Sequence, residues 1–407
     1  MTGAARISRR REGARSHRPS DLWQVCRAVA LLSLASAGAG CASQSHDSAG
    51  VGGNGGGGAR GSGDSSTDAD TGGGSGGAIG SRPDASDGAP AADAGVPADT
   101  QTDTAKVPAT LGPAGFVCPA GPFPNPLPLN LSATLIKGGF AGELEGPAWV
   151  ASQKALYFVQ SGGGSSNGLI NKYTPADGTF AVFASNVGVG GLAVDPDGML
   201  VAASYDSRSL TRFDPATGQR TAIPGGASFN GQPFNEVNDA VVRADGNIYF
   251  SDPNYAEPQG MAPMAFYRLS PPPGSKVTQI LLADFANGIA LSPDGAWLYL
   301  GTTGGPALRR LPLAADGSVM APGTQWKEPT SDGMAVDCAG NLYLSVAGAT
   351  NMITVVSPAD QPLGNIVGLG GGYVTNSAFG DDDHQTLYIT TSQALYKIRL
   401  NAPGFPN

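Results

Sequence analysis

Carboxylates and side-chain amides recur through the C-terminal part of the chain at a nearly constant interval. Glu145, Gly190, Asn238, Asn287, Asp332 and Asn376 each open a segment that continues as a short apolar stretch, a tight turn and a second apolar strand rich in Leu, Tyr, Val and Ile. If the segments are equivalent units arranged around an axis, their first residues form a ring. Two carboxylates and several amide oxygens on one ring are the donors a hard divalent cation requires, and Ca²⁺ suits them best because it accepts six to eight oxygens in loose geometry. Mg²⁺, Mn²⁺ and Zn²⁺ are the alternatives, with Zn²⁺ poorly served because it favours His and Cys. A single Asn or Asp at the start of a strand is ordinarily a turn cap. Four or five in register favour the cation.

Other chemistries are excluded by what is scarce. Histidine occurs only at His17, His46 and His384, and beyond the leader the cysteines are Cys118 and Cys338. Beyond the leader and the tether only His384 and these two cysteines remain, so a three-His or four-Cys metal site has too few ligands in the body of the chain. A Ser-His-Asp triad would have to use His384, which follows Asp381, Asp382 and Asp383 and is expected to be an exposed surface residue. The formal net charge of -9 leaves no basic footprint for nucleic acid. Any chemistry must rest mainly on carboxylates, amides and hydroxyls.

The ring needs a scaffold that repeats. Its members stand 44 to 49 residues apart, which matches four strands of ordinary length with short turns, so six units predict an all-β, six-bladed β-propeller. Asp197-Gly198, Asp245-Gly246 and Asp294-Gly295 fall where two strands must reverse, as Asp-Gly does in hairpins. The strands after these turns do not alternate polar with apolar, as expected for blades covered on both faces. Ring closure is expected to pair a strand near Ala133 to Lys137 with the last blade, which ends at Leu395 to Leu400, removing the exposed edges.

The N-terminal part has a different character. Residues 1–41 read as an export signal: a basic start with Arg9, Arg10 and Arg11, an apolar run from Ala28 to Ala37, and a lipobox-like end at Gly38-Ala-Gly-Cys41. Lipidation of Cys41 is expected, against the alternative of an ordinary cleaved signal. Residues 42–110 are dominated by Gly, Ser, Asp, Ala, Thr and Pro and predict a disordered tether. Residues 111–407 form the propeller. The expected product is exported, periplasmic or at the cell surface, touches membrane only through its lipid anchor, and is a monomer. In that compartment Cys118 and Cys338 are expected to pair.

Glu143-Leu-Glu-Gly-Pro-Ala-Trp149, Val237-Asn-Asp-Ala-Val-Val-Arg-Ala-Asp-Gly246, Asn287-Gly-Ile-Ala-Leu-Ser-Pro-Asp-Gly295, Ser331-Asp-Gly-Met-Ala-Val-Asp337 and Val374-Thr-Asn-Ser-Ala-Phe-Gly380 resemble the senescence-marker-protein, gluconolactonase and luciferin-regenerating-enzyme family. The resemblance implies a divalent cation held by Glu145, Asn238, Asn287 and Asp332, with Asp332 also the catalytic base, and hydrolysis of a small lactone or ester. A non-catalytic ligand-binding propeller and a phosphotriester hydrolase are the alternatives. Sugar-lactonase members place an Arg where this chain has Glu236, so sugar binding by the same geometry is in doubt. Glu236, Asn376, Tyr205 and Arg208 are candidate substrate contacts. Asp252, before Pro253, is expected to fix a turn.

Overall fold

The computed structural model describes residues 115–406 apart from 163–165, 255–260, 304–307, 326–330 and 347–350. The export signal, Cys41 and the tether lie outside the described residues. What is described is all-β, almost without helix, and its principal sheets are six blades. The innermost strands are Leu144–Val150, Leu192–Val194, Ala240–Val242, Ala286–Leu291, Ser331–Asp337 and Val374–Gly380, for blades 1 to 6 in order. Each contacts the next, and the sixth contacts the first. The ring is closed.

Closure uses the strand the sequence suggested. Thr134–Gly138 is the outermost strand of blade 6 and pairs antiparallel with Ala394–Arg399, with Thr134 opposite Lys397 and Gly138 opposite Ala394. The first strand of the propeller thus completes its last blade. Between the first two strands of blades 2, 3 and 4, Gly198, Gly246 and Gly295 take positive φ of 79°, 84° and 63°, which Asp-Gly turns supply without a Cβ penalty.

Apolar side chains cover both faces of each blade, so the core lies between blades rather than in the channel. Six buried apolar clusters occupy the six blade interfaces among the described residues. The second strands carry a recurrent aromatic: Tyr157, Tyr249, Tyr299, Tyr343 and Tyr388 are essentially fully buried, and blade 2 has Val201 instead. A buried phenol needs an acceptor. Tyr249 donates its hydroxyl to the Gly317 carbonyl of blade 4 at 2.7 Å, and Tyr157 donates to the Pro215 carbonyl of blade 2 at 3.4 Å. These two bonds tie neighbouring blades as well as satisfying the hydroxyls.

Both chain ends of the propeller gather under blades 5 and 6. Cys118 and Cys338 form a disulfide with their Cα atoms 5.4 Å apart, as expected for an oxidising compartment. Gly404–Phe405 adds a strand beside the inner strand of blade 5, with Phe405 opposite Val336. This arrangement overturns the expectation for His384, which is buried rather than exposed. Its ring lies 4.2 Å from that of Phe116, and its carbonyl accepts the Gly404 N–H at 2.7 Å. The local turn is polar, but segments distant in sequence cover it.

Burial lowers the His384 pKa below its usual 6.5, opposed by the charges of Asp383, Asp382 and Asp381. A neutral imidazole favours the folded state, so this contribution is present above pH 6.5 and is lost as pH falls through the folded pKa. The thermal midpoint of the wild type should fall more steeply below pH 6.5 than that of His384→Gln, followed by circular dichroism. Reducing the disulfide, or replacing both cysteines with Ser, should cost about 2–5 kcal/mol of stability in urea titrations, because the bridge closes a long loop of the unfolded chain.

Candidate active site

The residues that open the repeats share a backbone device. In blade 4 the register runs from Ala286 opposite Thr302 to Ile289 opposite Leu300, leaving Asn287 and Gly288 against one residue. In blade 5 Asp332 and Gly333 stand in the same way between Ser331 opposite Val346 and Met334 opposite Leu344. Register also shifts directly after Glu145 in blade 1 and between Val374 and Asn376 in blade 6. In blades 2 and 3, Gly190 donates to the Ala203 carbonyl while Gly191 accepts from the Ala203 N–H, and Asn238 and Asp239 bracket Ser251 likewise. A bulge bends its strand and re-aims side chains. Here one lies at the start of every inner strand.

Glycine at the second bulge position admits the neighbouring blade. A Cβ on Gly146, Gly191, Gly288 or Gly333 would come under 3.0 Å from backbone or side-chain atoms of the next inner strand, or from Asn376. Blades 3 and 6 instead place Asp239 and Ser377 at this level. The Cβ of an alanine at 191 would lie 2.5 Å from Oδ1 of Asp239. The spaces vacated by glycine therefore take in neighbouring backbone and two polar side chains, Asp239 and Asn376.

Of the residues singled out by sequence, the structure brings Asn287 and Asp332 into direct contact. Asn287 donates from Nδ2 to Asp332 Oδ1 at 2.6 Å and to Thr303 Oγ1 at 2.6 Å, and both ring residues are buried. Glu145 and Asn238 are half-buried at the bulges of blades 1 and 3, where Glu145 Oε2 accepts the Gly146 N–H at 3.4 Å. Gly190 leaves blade 2 without a side chain on the ring. Asn376 is buried, and its Oδ1 accepts the Ser377 N–H at 2.8 Å.

Sequence reasoning missed Asp239. It is buried, its Oδ1 accepts the Ala240 N–H at 2.9 Å, and its carboxylate also accepts from the Ile289 N–H and the Asn376 side chain. Burial pushes its pKa up to about 7, aided by the charge of Asp332 and opposed by these hydrogen bonds. A signal was present: Asp239 is the one acidic residue at a second position where four of the repeats have Gly.

Tyr205 follows the second strand of blade 2, Leu200–Ser204. Burial first, then the charges of Asp206, Glu236 and Glu143, push its pKa up to about 12, so it is a neutral phenol beside acidic residues. Asp206 fixes this loop by accepting two Arg220 bonds, at 2.6 and 2.8 Å, and the Gly188 N–H at 2.9 Å. Arg208 takes φ of 50° and sends Nη1 to Met261 Sδ at 2.8 Å. Tyr373 donates its hydroxyl to Glu143. Asp252 holds the turn before the ring: it is fully buried and accepts from the N–H groups of Asn235 and Glu236 and from Asn235 Nδ2, at 2.9–3.0 Å.

The donor set fits a hard cation. Among the described residues no group of three or more His, Cys, Asp or Glu side chains gathers as a metal cluster, and the ring mixes carboxylates with amides. That composition suits Ca²⁺ better than Zn²⁺. The charge of Asp332 adds to the cost of ionising the buried Asp239, and a positive charge beside them would relieve it.

A six-bladed propeller with an amide- and carboxylate-lined channel is the class these features define. The model of the SMP-30/gluconolactonase/LRE-like region matches residues 144–393, and the chain belongs to that family. Over 293 residues it is 28% identical to a gluconolactonase of Zymomonas mobilis, covering 64% of this chain and 79% of that one. Over 285 residues it is 26% identical to a 6-deoxy-6-sulfogluconolactonase of Pseudomonas putida, covering 64% and 92%. A gluconolactonase structure from Xanthomonas campestris superposes with a TM-score of 0.57 at 29% identity, covering 72% of this chain and 99% of that one. A calcium-binding regucalcin from Agrobacterium tumefaciens shares the fold, with a TM-score of 0.54 at 18% identity, covering 68% and 98%.

Replacing Asp252 with Ala should strand two buried donors of Asn235 and the half-buried Glu236 N–H in front of Asn238. The expected loss is about 3 kcal/mol or more of stability by urea titration, since each unsatisfied buried donor costs ~1–3 kcal/mol.

Proposed function

We propose that this protein is a hydrolase of small lactones that uses a divalent cation, foremost Ca²⁺, held by Glu145, Asn238, Asn287 and Asp332. One observation carries the reading: within a propeller of the gluconolactonase family, Asn287 and Asp332 meet at 2.6 Å from the bulges of adjacent inner strands. When bound, the cation supplies Lewis-acid polarisation of the lactone carbonyl. Every other part belongs to the chain.

Asp332 takes the proton from the attacking water at a carboxylate oxygen. The Asn287 amide orients that carboxylate through its bond to Oδ1, and Thr303 fixes the amide in turn. Asp332 is buried, so water reaching it is separated from bulk solvent. Tyr205 remains protonated at neutral pH and is a donor for the ring or carbonyl oxygens of substrate at the mouth. Glu236 and Arg208 flank the same approach, whereas the Asn376 amide already binds the Ser377 N–H and Asp239. The disulfide supports export to an oxidising compartment. Lipid anchoring through Cys41, a monomeric state and a small-molecule substrate complete the proposal.

The test is a panel of sugar lactones, γ-butyrolactone and phosphotriesters, assayed with and without EDTA. Lactone turnover should disappear with EDTA and return with Ca²⁺. Asp332→Ala should lower kcat by about 10²–10⁴-fold, the usual range for a general base. Cation-dependent turnover of phosphotriesters alone would replace the lactone reading. A folded wild type without cation-dependent turnover of any substrate would leave a binding protein.

A further inference from the structure

Asp239 sits at the bulge position where four of the six blades carry glycine. At its level blades 1, 2, 4 and 5 offer Gly146, Gly191, Gly288 and Gly333, which put no side chain into the lumen. The space is taken from opposite sides. Oδ1 of Asp239, on blade 3, lies 2.5 Å from where a Cβ on Gly191 would stand. The amide of Asn376, on blade 6, fills the position of a Cβ on Gly333. Blades 3 and 6 face one another in a six-membered ring, yet these two side chains are hydrogen-bonded. The bond therefore crosses the axis. The same carboxylate accepts the Ile289 N–H of blade 4, two residues after Asn287, and the Asn376 amide is held on its other side by the Ser377 N–H.

We propose that Asp239 and Asn376 form a strut across the central channel, with Asp239 as a positioning residue that holds the blade 4 and blade 6 bulges at the spacing the ring requires. Hydrogen bonds from three inner strands converge on this pair. A purely structural filler of that space could be apolar, as the blade interfaces are. A carboxylate that accepts two backbone N–H groups and one amide instead specifies orientation, because each bond has a required direction. The strut fixes Ile289, and through the same short segment Asn287, whose amide in turn orients Asp332.

The proposal rests on the cation-site reading, so its test has a readout independent of turnover. Ca²⁺ affinity would be measured by calorimetry on the full chain without substrate, beside kcat and KM, for the wild type, Asp239→Ala, Asn376→Ala and the double variant. Removing a residue that orients metal ligands typically costs about 10–100-fold in affinity or activity. Asp239→Ala and Asn376→Ala should each weaken Ca²⁺ binding by about tenfold and lower kcat more than they raise KM. The double variant should lose no more than the worse single, because either change breaks the same strut. Gly191→Ala provides a second route, since it displaces the carboxylate without removing it, and should reproduce the loss. Asp239→Asn, closest in shape, should fall between wild type and Asp239→Ala, and it reads the outcome if the Ala variants do not fold. Folded variants with Ca²⁺ affinity and kcat within twofold of wild type, or additive losses in the double variant, would overturn the strut. A wild type that binds Ca²⁺ but turns over no lactone defeats the hydrolase reading and leaves the strut testable by affinity. A wild type that binds no divalent cation defeats both.

Discussion

The close approach of six inner strands around one axis is the constraint on which the rest of the molecule depends. Strands that simply paired within their blades would not converge tightly enough for side chains from different blades to touch. Two local devices allow it. A bulge at the head of each inner strand turns the opening residue out of the pleat, and glycine at the following position in four blades removes the Cβ that would collide with the next blade. The ring of opening residues and the packing around the axis are consequences of the same few residues. A site on such a frame is rigid because moving any of its members means separating two blades.

This convergence has an electrostatic cost. It brings Asp239 and Asp332 into the interior close enough for the charge of Asp332 to disfavour ionisation of Asp239, an arrangement that a folded domain has no reason to build for stability alone. Among the described residues, neutral donors bond to both: Asn287 to Asp332, and Ala240, Ile289 and Asn376 to Asp239. Stability is supplied elsewhere, by the apolar clusters between blades and by the tyrosines whose hydroxyls find acceptors at their edges. The molecule thus separates the two tasks. Blade interfaces hold it together, and the axis carries the charge.

Some expectations were readable because they depend on local chemistry. The repeat interval, the Asp-Gly turns and the strand that completes blade 6 all follow from patterns within a few residues or from counting. The Cys118–Cys338 bridge followed from the compartment implied by the leader. His384 was misjudged for a corresponding reason. Its neighbours Asp381, Asp382 and Asp383 mark an exposed turn, and only the return of Phe116 and Gly404 from far away in sequence covers the ring. Asp239 was passed over because the residue beside it, Asn238, matched a motif, whereas the importance of Asp239 lies in what stands across the channel.

Sequence by itself determined the number of blades, the residues that open them and the oxygen-only character of the donors, since periodicity and residue type require no knowledge of distant contacts. It also excluded metal sites built on several His or Cys. Only the tertiary structure decided which ring members touch, that Asn287 donates to Asp332, and that Asn376 faces Asp239. Those relations join blades separated by one or three positions around the ring. They exist only after closure, when strands far apart in the chain are brought within hydrogen-bond distance.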